Sequence, residues 1–211
     1  MNTEHHDVRQ HLLKTGNSII IGKGFAAVGL NEILTAAGVP KGSFYHYFKS
    51  KELFGVAMLE DYVADYLLSM DAVLRVPGRT AADSLIAYWL GWIDAQADSC
   101  KDCRCLVVKL GSEVSDMSEP MRLALLRGTD QIVARLATCI EQALLDGSLS
   151  AIAQPHHTAL VLYQMWLGAA MLTKLRRDPS ALDAALQATR AMLRLPPASG
   201  DRTTPPARPK G

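Results

Sequence analysis

Leu30-Asn-Glu-Ile-Leu-Thr-Ala-Ala-Gly-Val-Pro-Lys-Gly-Ser-Phe-Tyr-His-Tyr-Phe-Lys-Ser-Lys51 is the stretch that decides the fold. Its first eight residues are apolar on one helical face, through Ile33, Leu34 and Ala37. Gly38 ends that helix as a C-cap, since glycine accepts the left-handed backbone needed there. Val39 plugs the turn. Pro40 opens the next helix, where its missing N–H costs nothing. Phe44 and Phe48 lie four apart and face inward. Lys41, Ser43, Tyr45, His46 and Tyr47 are left on the outward faces.

Two short helices joined by a tight glycine turn make a helix-turn-helix, whose second helix enters a DNA major groove. The outward residues suit that task. Serine and tyrosine hydroxyls and lysine ammonium groups bind phosphates, and lysine also reaches guanine acceptors in the groove. Gly42 lets the backbone come close to the duplex. Lys51 stands at the start of the following helix, whose free N–H groups suit a phosphate. The formal net charge is only +1, so the whole chain does not look like a nucleic-acid binder. Residues 41–51 nevertheless hold three lysines, a histidine and no acid, and a local basic patch suffices.

Outward from this motif, everything reads as helix, which gives an all-α fold class. Asp7–Lys23 precedes it at helical spacing. Ser50 caps a long helix, Lys51–Leu74. Pro77-Gly78 breaks the chain. Thr80 caps a helix to about Ala97, and Ser99–Arg104 reads as a cysteine-rich loop. Cys105–Val114 is a short helix. Ser118 caps one to Leu145, and Asp146-Gly147 ends it. Pro155–Arg177 and Pro179–Leu195 complete the set. The expected organisation is a DNA-binding domain over 1–50 and a regulatory and dimerisation domain over 51–195. A Pro-, Gly- and Arg-rich tail over 196–211 is expected to be disordered. With 49% hydrophobic and 20% charged residues, most of the chain should pack. No signal peptide or membrane-length apolar run is visible, so the chain reads as cytoplasmic, with its cysteines as thiols.

The run from Glu32 to Glu52 resembles the signature of the TetR family of regulators, through Gly38-Val39, Gly42, Tyr45, Phe48 and Lys51. Gly29 departs from it, because the family often has a phosphate-binding Thr or Ser there. By resemblance, Asn31 takes the position from which the first motif helix reaches a base. The resemblance implies a repressor that binds palindromic operator DNA as a homodimer built on the last two helices. Pro155–Arg177 is compatible, with Leu160, Tyr163, Leu167, Ala170 and Met171 beside the small Gly168 and Ala169. On these roles, loss of Tyr45 or Lys51 should weaken binding to all sequences. Loss of Lys41 or Asn31 should relax sequence preference.

A second resemblance rests on Cys105-Leu-Val-Val-Lys-Leu-Gly-Ser-Glu-Val-Ser-Asp-Met-Ser-Glu-Pro-Met-Arg122 and on Tyr163-Gln-Met-Trp-Leu-Gly-Ala-Ala-Met-Leu-Thr-Lys174. Together they look like the NemR branch of that family, which senses electrophiles and oxidants. It implies a reactive Cys105 whose modification by a small electrophile or oxidant releases the operator. Lys174 is implied as its counter-charge. A helix start and the nearby Lys101, Arg104 and Lys109 should depress the Cys105 pKa. A sulfenic acid at Cys105 would find Cys100 or Cys103 as resolving thiols.

The residues alone leave other readings open. Cys105 as an inert core thiol is one, and Lys174 snorkelling to solvent is another. Zinc on Cys100, Cys103 and Cys105 is a third, though the spacing is irregular, and neither metal nor cofactor is expected. Cys139 reads as a buried small hydrophobe, and His156-His157 as a solvated helix start. Trp89, Trp92 and Trp166 read as core or pocket wall, so a small apolar effector held without a covalent bond is the alternative inducer. A thiol oxidoreductase is disfavoured, because no Cys-x-x-Cys opens a helix after a strand.

Overall fold

The computed structural model describes residues 2–97 and 105–196. Among these are nine α-helices and no strand: α1 Asn2–Lys23, α2 Leu30–Ala37, α3 Lys41–Tyr47, α4 Lys51–Leu74, α5 Ala81–Ala97, α6 Leu106–Met117, α7 Glu119–Leu145, α8 Pro155–Arg176 and α9 Ser180–Met192. The loop over Ser99–Arg104 and the tail beyond Pro196 lie outside the described residues.

The helix ends follow local chemistry. Gly38 caps α2 in the left-handed region at φ 64°. The N–H of Val39 donates to the Leu34 carbonyl at 3.1 Å. Ser50 Oγ accepts from the Leu53 N–H at 3.1 Å, Thr80 Oγ1 from the Asp83 N–H at 3.1 Å and Ser118 Oγ from the Met121 N–H at 3.3 Å. Each side-chain oxygen satisfies one donor that the helix cannot. No described helix is long and apolar enough to cross a membrane.

Two apolar clusters hold the chain. The first packs Leu12, Leu13 and Ile20 of α1 with Ile33 and Leu34 of α2, Phe44 of α3 and Phe54 and Met58 of α4. It also takes in Leu106, Leu110 and Val114 of α6 and Met121, Ala124 and Leu125 of α7. The core under the helix-turn-helix is therefore closed by helices far along the sequence. A division at residue 50 cuts through it, because α1, α2 and α3 share this core with α4, α6 and α7.

The second cluster joins α4, α5, α7, α8 and α9 around Trp89 and Trp166. Their rings stack at 4.7 Å and 13°. Trp166 Nε1–H donates to Thr189 Oγ1 at 2.9 Å, which ties α8 to α9. Gly128 lets α7 approach α4, since a Cβ there would lie 2.5 Å from Val63 Cγ2. Cys139 is buried here, as its place on an apolar face predicts, and its S–H donates to the Ala81 carbonyl at 3.4 Å. Burial pushes this thiol up to about 11.

Helix α8 differs from expectation in how it divides its faces. Tyr163, Ala169 and Ala170 are buried within the protomer, so they are not available to a partner copy. Met171, Leu172 and Leu175 are exposed, beside the exposed Gly168. The apolar stripe left on α8 is narrower and nearer its C-terminus than the sequence suggests.

Candidate functional site

Two places carry chemistry. The first is the outer face of α2 and α3. Phe44 is fully buried and packs on Phe48 at 5.3 Å and on Phe54 at 5.6 Å between ring centroids. That anchors α3 against α4 and turns its other faces out. Asn31, Lys41, Gly42, Tyr45 and His46 are exposed, and Ser43 and Tyr47 are half-buried. Lys41 Nζ lies 6.0 Å from the Tyr45 ring. His11 Nε2 meets the Ala37 carbonyl at 3.0 Å, which braces the C-terminus of α2. Gly29 offers no side-chain cap to α2.

Lys51 is the member of the expected set that points elsewhere. Its Nζ donates to the Phe25 carbonyl at 2.7 Å and sits 4.4 Å over the Phe25 ring. Partial burial lowers its pKa, while the Glu113 carboxylate opposes that shift. The amine ties the end of α1 to the start of α4. Sequence reasoning missed this contact because its acceptor is a backbone carbonyl, to which every residue type is equivalent.

The second place is a cavity of about 430 Å³ between α4, α5, α6 and α8. Cys105 and Lys174 both line it, as do Tyr62, Tyr66, Tyr88 and Trp92. The Tyr62 and Tyr66 rings stack at 6.1 Å. The hydroxyls of Tyr66 and Tyr88 meet at 2.5 Å. Tyr62 Oη accepts from the Leu106 N–H at 3.2 Å, so this hydroxyl holds the first turn of α6. Tyr163 stands behind Trp92, with ring centroids 6.3 Å apart, and its buried hydroxyl has no hydrogen-bond partner among the described residues. Burial raises the pKa of all four phenols, so they stay protonated in the neutral range.

Cys105 stands one residue before α6, at its N-cap. Its pKa is raised, against the expectation of a depressed one. Burial beside phenols and the Trp92 indole disfavours the charged thiolate more than its neighbours favour it. Those neighbours are the N–H groups of Val108 and Val107, then the Lys174 charge, then the Tyr62 hydroxyl. Lys109 is not among them, and Lys101 and Arg104 lie outside the described residues, as do Cys100 and Cys103. Among the described residues no His, Cys, Asp or Glu group is arranged to hold a metal ion.

The sequence reading thus found Cys105, Lys174 and Trp92 but not the tyrosine wall or Asp65. A signal was present. Tyr62 and Tyr66 lie four apart on α4, as do Asp65 and Ser69, so each pair shares a helix face.

Comparison with known proteins adds to this geometry. Residues 12–54 match the family described as bacterial regulatory proteins, tetR family. Residues 81–189 match the tetracyclin repressor-like C-terminal domain. The chain is 39% identical to the HTH-type transcriptional repressor NemR of Escherichia coli over 191 residues, covering 90% of this chain and 96% of that protein. It is 31% identical to the HTH-type transcriptional repressor DhaR of Mycobacterium sp. (strain GP1), covering 83% of this chain and 87% of that one. The crystal structure of reduced E. coli NemR superposes with a TM-score of 0.85 at 40% identity, covering 90% of this chain and 99% of that one.

Proposed function

From the premise that this chain belongs to the tetR family of bacterial regulatory proteins and is a NemR-like transcriptional repressor, we propose that Cys105 is its sensor and that covalent modification of this thiol by a small electrophile or oxidant releases the operator. The observation that carries the reading is the shared cavity. Cys105 and Lys174, distant in sequence, line one apolar-walled space large enough for a small organic reagent. The lysine charge there favours the thiolate, which is the reactive form. A modified Cys105 changes the volume and polarity at the start of α6, whose other side closes the core under the helix-turn-helix.

The repressor acts as a homodimer in this reading. Gly168, Met171, Leu172 and Leu175 of α8 and Met192 of α9 supply the apolar contact, being exposed where nothing in the protomer covers them. Asn31, Lys41, Gly42, Ser43, Tyr45, His46 and Tyr47 face the operator, which is palindromic to match the twofold axis. Lys51 acts first through the α1 turn. The protein works in the cytoplasm and needs no cofactor.

The test is gel mobility of the chain's own upstream DNA with wild type and Cys105→Ser, before and after N-ethylmaleimide. Release of wild type with retention by the variant is the expected result. Equal release of both would end the assignment. A second reading has a specific observation behind it. The burial that raises the Cys105 pKa slows covalent capture, while the three lining phenols Tyr62, Tyr66 and Tyr88 and Trp92 suit a flat apolar effector held reversibly. Release that dilution reverses, with Cys105→Ser as responsive as wild type, would select that reading.

A further inference from the structure

The short segment between α1 and α2 is held from outside its own domain. Gly24 sits at φ +95° and its N–H returns to the Ile20 carbonyl at 2.8 Å. The next two N–H groups point away from α1. Phe25 N–H donates to Glu113 Oε2 at 3.2 Å and Ala26 N–H donates to Glu113 Oε1 at 2.6 Å. Glu113 belongs to α6. Both oxygens of one carboxylate therefore grip two consecutive peptide groups of the DNA-binding head. Lys51 closes the opposite side of the same peptide through the Phe25 carbonyl. Close by, Ser118 Oγ donates to Glu52 Oε1 at 2.6 Å, joining the end of α6 to the first turn of α4.

This arrangement is more specific than a packing contact. Apolar contacts between α6 and the head resist separation but tolerate sliding and small rotation. Two charge-assisted bonds to adjacent N–H groups fix an orientation, because rotation breaks one of them. A Cβ at Gly24 would come within 3.1 Å of Glu113 Oε2, so glycine leaves the room that the carboxylate uses. Glu113 also lies roughly two helical turns beyond Cys105, the N-cap of the same α6.

We propose that Glu113 is a positioning residue for operator binding: it sets the angle of the recognition helix relative to the regulatory helices, and so the half-site spacing that the dimer accepts. The residue touches no DNA. Its effect passes through the Phe25–Ala26 turn to α2 and α3. This inference is independent of what fills the cavity, since it concerns how α6 is joined to the head rather than what moves α6. Two recognition helices must lie about 34–36 Å apart to enter successive major grooves, and a small rotation of each head alters that separation.

The experiment starts from the operator selected by the wild-type dimer from random duplex DNA. Binding is then measured on that operator and on versions with the half-sites moved one base pair closer or farther. Wild type should bind the selected spacing at least tenfold better than its neighbours. Glu113→Ala should compress that preference to threefold or less. Glu113→Gln has one acceptor and an NH₂ that faces a peptide N–H, so it should lie between. A purely stabilising role predicts another pattern, in which all spacings lose affinity by one common factor. That result, or an unchanged preference, would overturn the proposal. So would a wild type indifferent to spacing. If Glu113→Ala fails to fold, Glu113→Gln is decisive through amide hydrogen exchange. Phe25 and Ala26 N–H should exchange at least tenfold faster than in wild type, and unchanged protection would remove the contact on which the inference stands.

Discussion

Helix α3 carries its proposed DNA-facing residues within one stretch of seven, whereas the cavity draws its wall from four helices spread between Tyr62 and Lys174. The proposed recognition face is a solvated surface of ordinary groups, held at its angle by Phe44 and its neighbours. The cavity is a partly open, apolar-walled space, and its chemistry lies in altered groups: three phenols with raised pKa values and a thiol whose pKa is raised as well. The turn and caps of the first region are set by local chain chemistry, with α6 and α7 closing the core beneath it, whereas the second is assembled by tertiary packing alone. They should therefore fail in different ways when perturbed.

The sharpest way to break this contrast is Phe44→Ala. Phe44 is fully buried and contacts Tyr45, Phe48 and Phe54. Truncating a buried phenylalanine costs about 3–5 kcal/mol. Operator binding should disappear, while Cys105 should still be modified at close to the wild-type rate. Thermal unfolding and mass-spectrometric labelling of Cys105 check both halves. Loss of Cys105 reactivity in step with DNA binding would mean the two regions fold as one unit, as their shared core through Leu106 and Leu110 permits.

Lys41→Ala is a gentler probe of the recognition face. Lys41 is exposed at the first position of α3. Loss of a good base contact costs about 1–3 kcal/mol of discrimination. Binding to the selected operator should weaken by roughly that amount and binding to random duplex much less. Tyr45→Ala should weaken both alike. Fluorescence anisotropy on the two DNAs separates the cases, and identical losses for both variants on both DNAs would erase the division between reading and holding.

On the cavity side the sign of the pKa shift makes a pH prediction. A raised thiol pKa leaves the thiolate a minor form through the neutral range. The rate of modification by N-ethylmaleimide should climb with pH by roughly tenfold per unit between pH 6 and 8, tracking the thiolate fraction. A depressed pKa would instead give a plateau at or below pH 7. Stopped-flow rates on wild type, with Cys105→Ser subtracted, decide between them. A plateau would show that the Val107 and Val108 N–H groups and Lys174 outweigh burial.

The same difference explains what the sequence revealed. The helix-turn-helix was legible because Gly38, Val39, Pro40, Phe44 and Phe48 each act on neighbours in the chain. The starts of α4, α5 and α7 were legible for the same reason, through Ser50, Thr80 and Ser118. Cys105 and Lys174 could be paired by family resemblance alone, since nothing local tells a helix which distant helix it will face. The direction of the Cys105 pKa was misjudged because nearby cations in sequence were weighed and distant aromatic rings were not. The Glu113 grip on Phe25 and Ala26 was invisible, because a backbone N–H has no sequence signature and the partners come from opposite ends of the first core.

Lys174→Met gives the smallest expected effect and the closest reading of the cavity. Methionine keeps most of the apolar stem and removes the charge. Lys174 is the third of four influences that favour the Cys105 thiolate, after two N–H groups and ahead of the Tyr62 hydroxyl. Its loss should therefore slow modification by only about threefold to tenfold at pH 7, the scale of one partly screened charge at close range. The steep rise with pH should persist, displaced toward higher pH. Operator affinity before modification should not change, because Lys174 has no part in the recognition face. A slowing of a hundredfold or more would mean that the lysine does more than bias the thiolate, and that α8 reacts with the inducer alongside α6. An unchanged rate would place the whole activation of Cys105 at the N-terminus of α6, where the N–H groups of Val107 and Val108 stand.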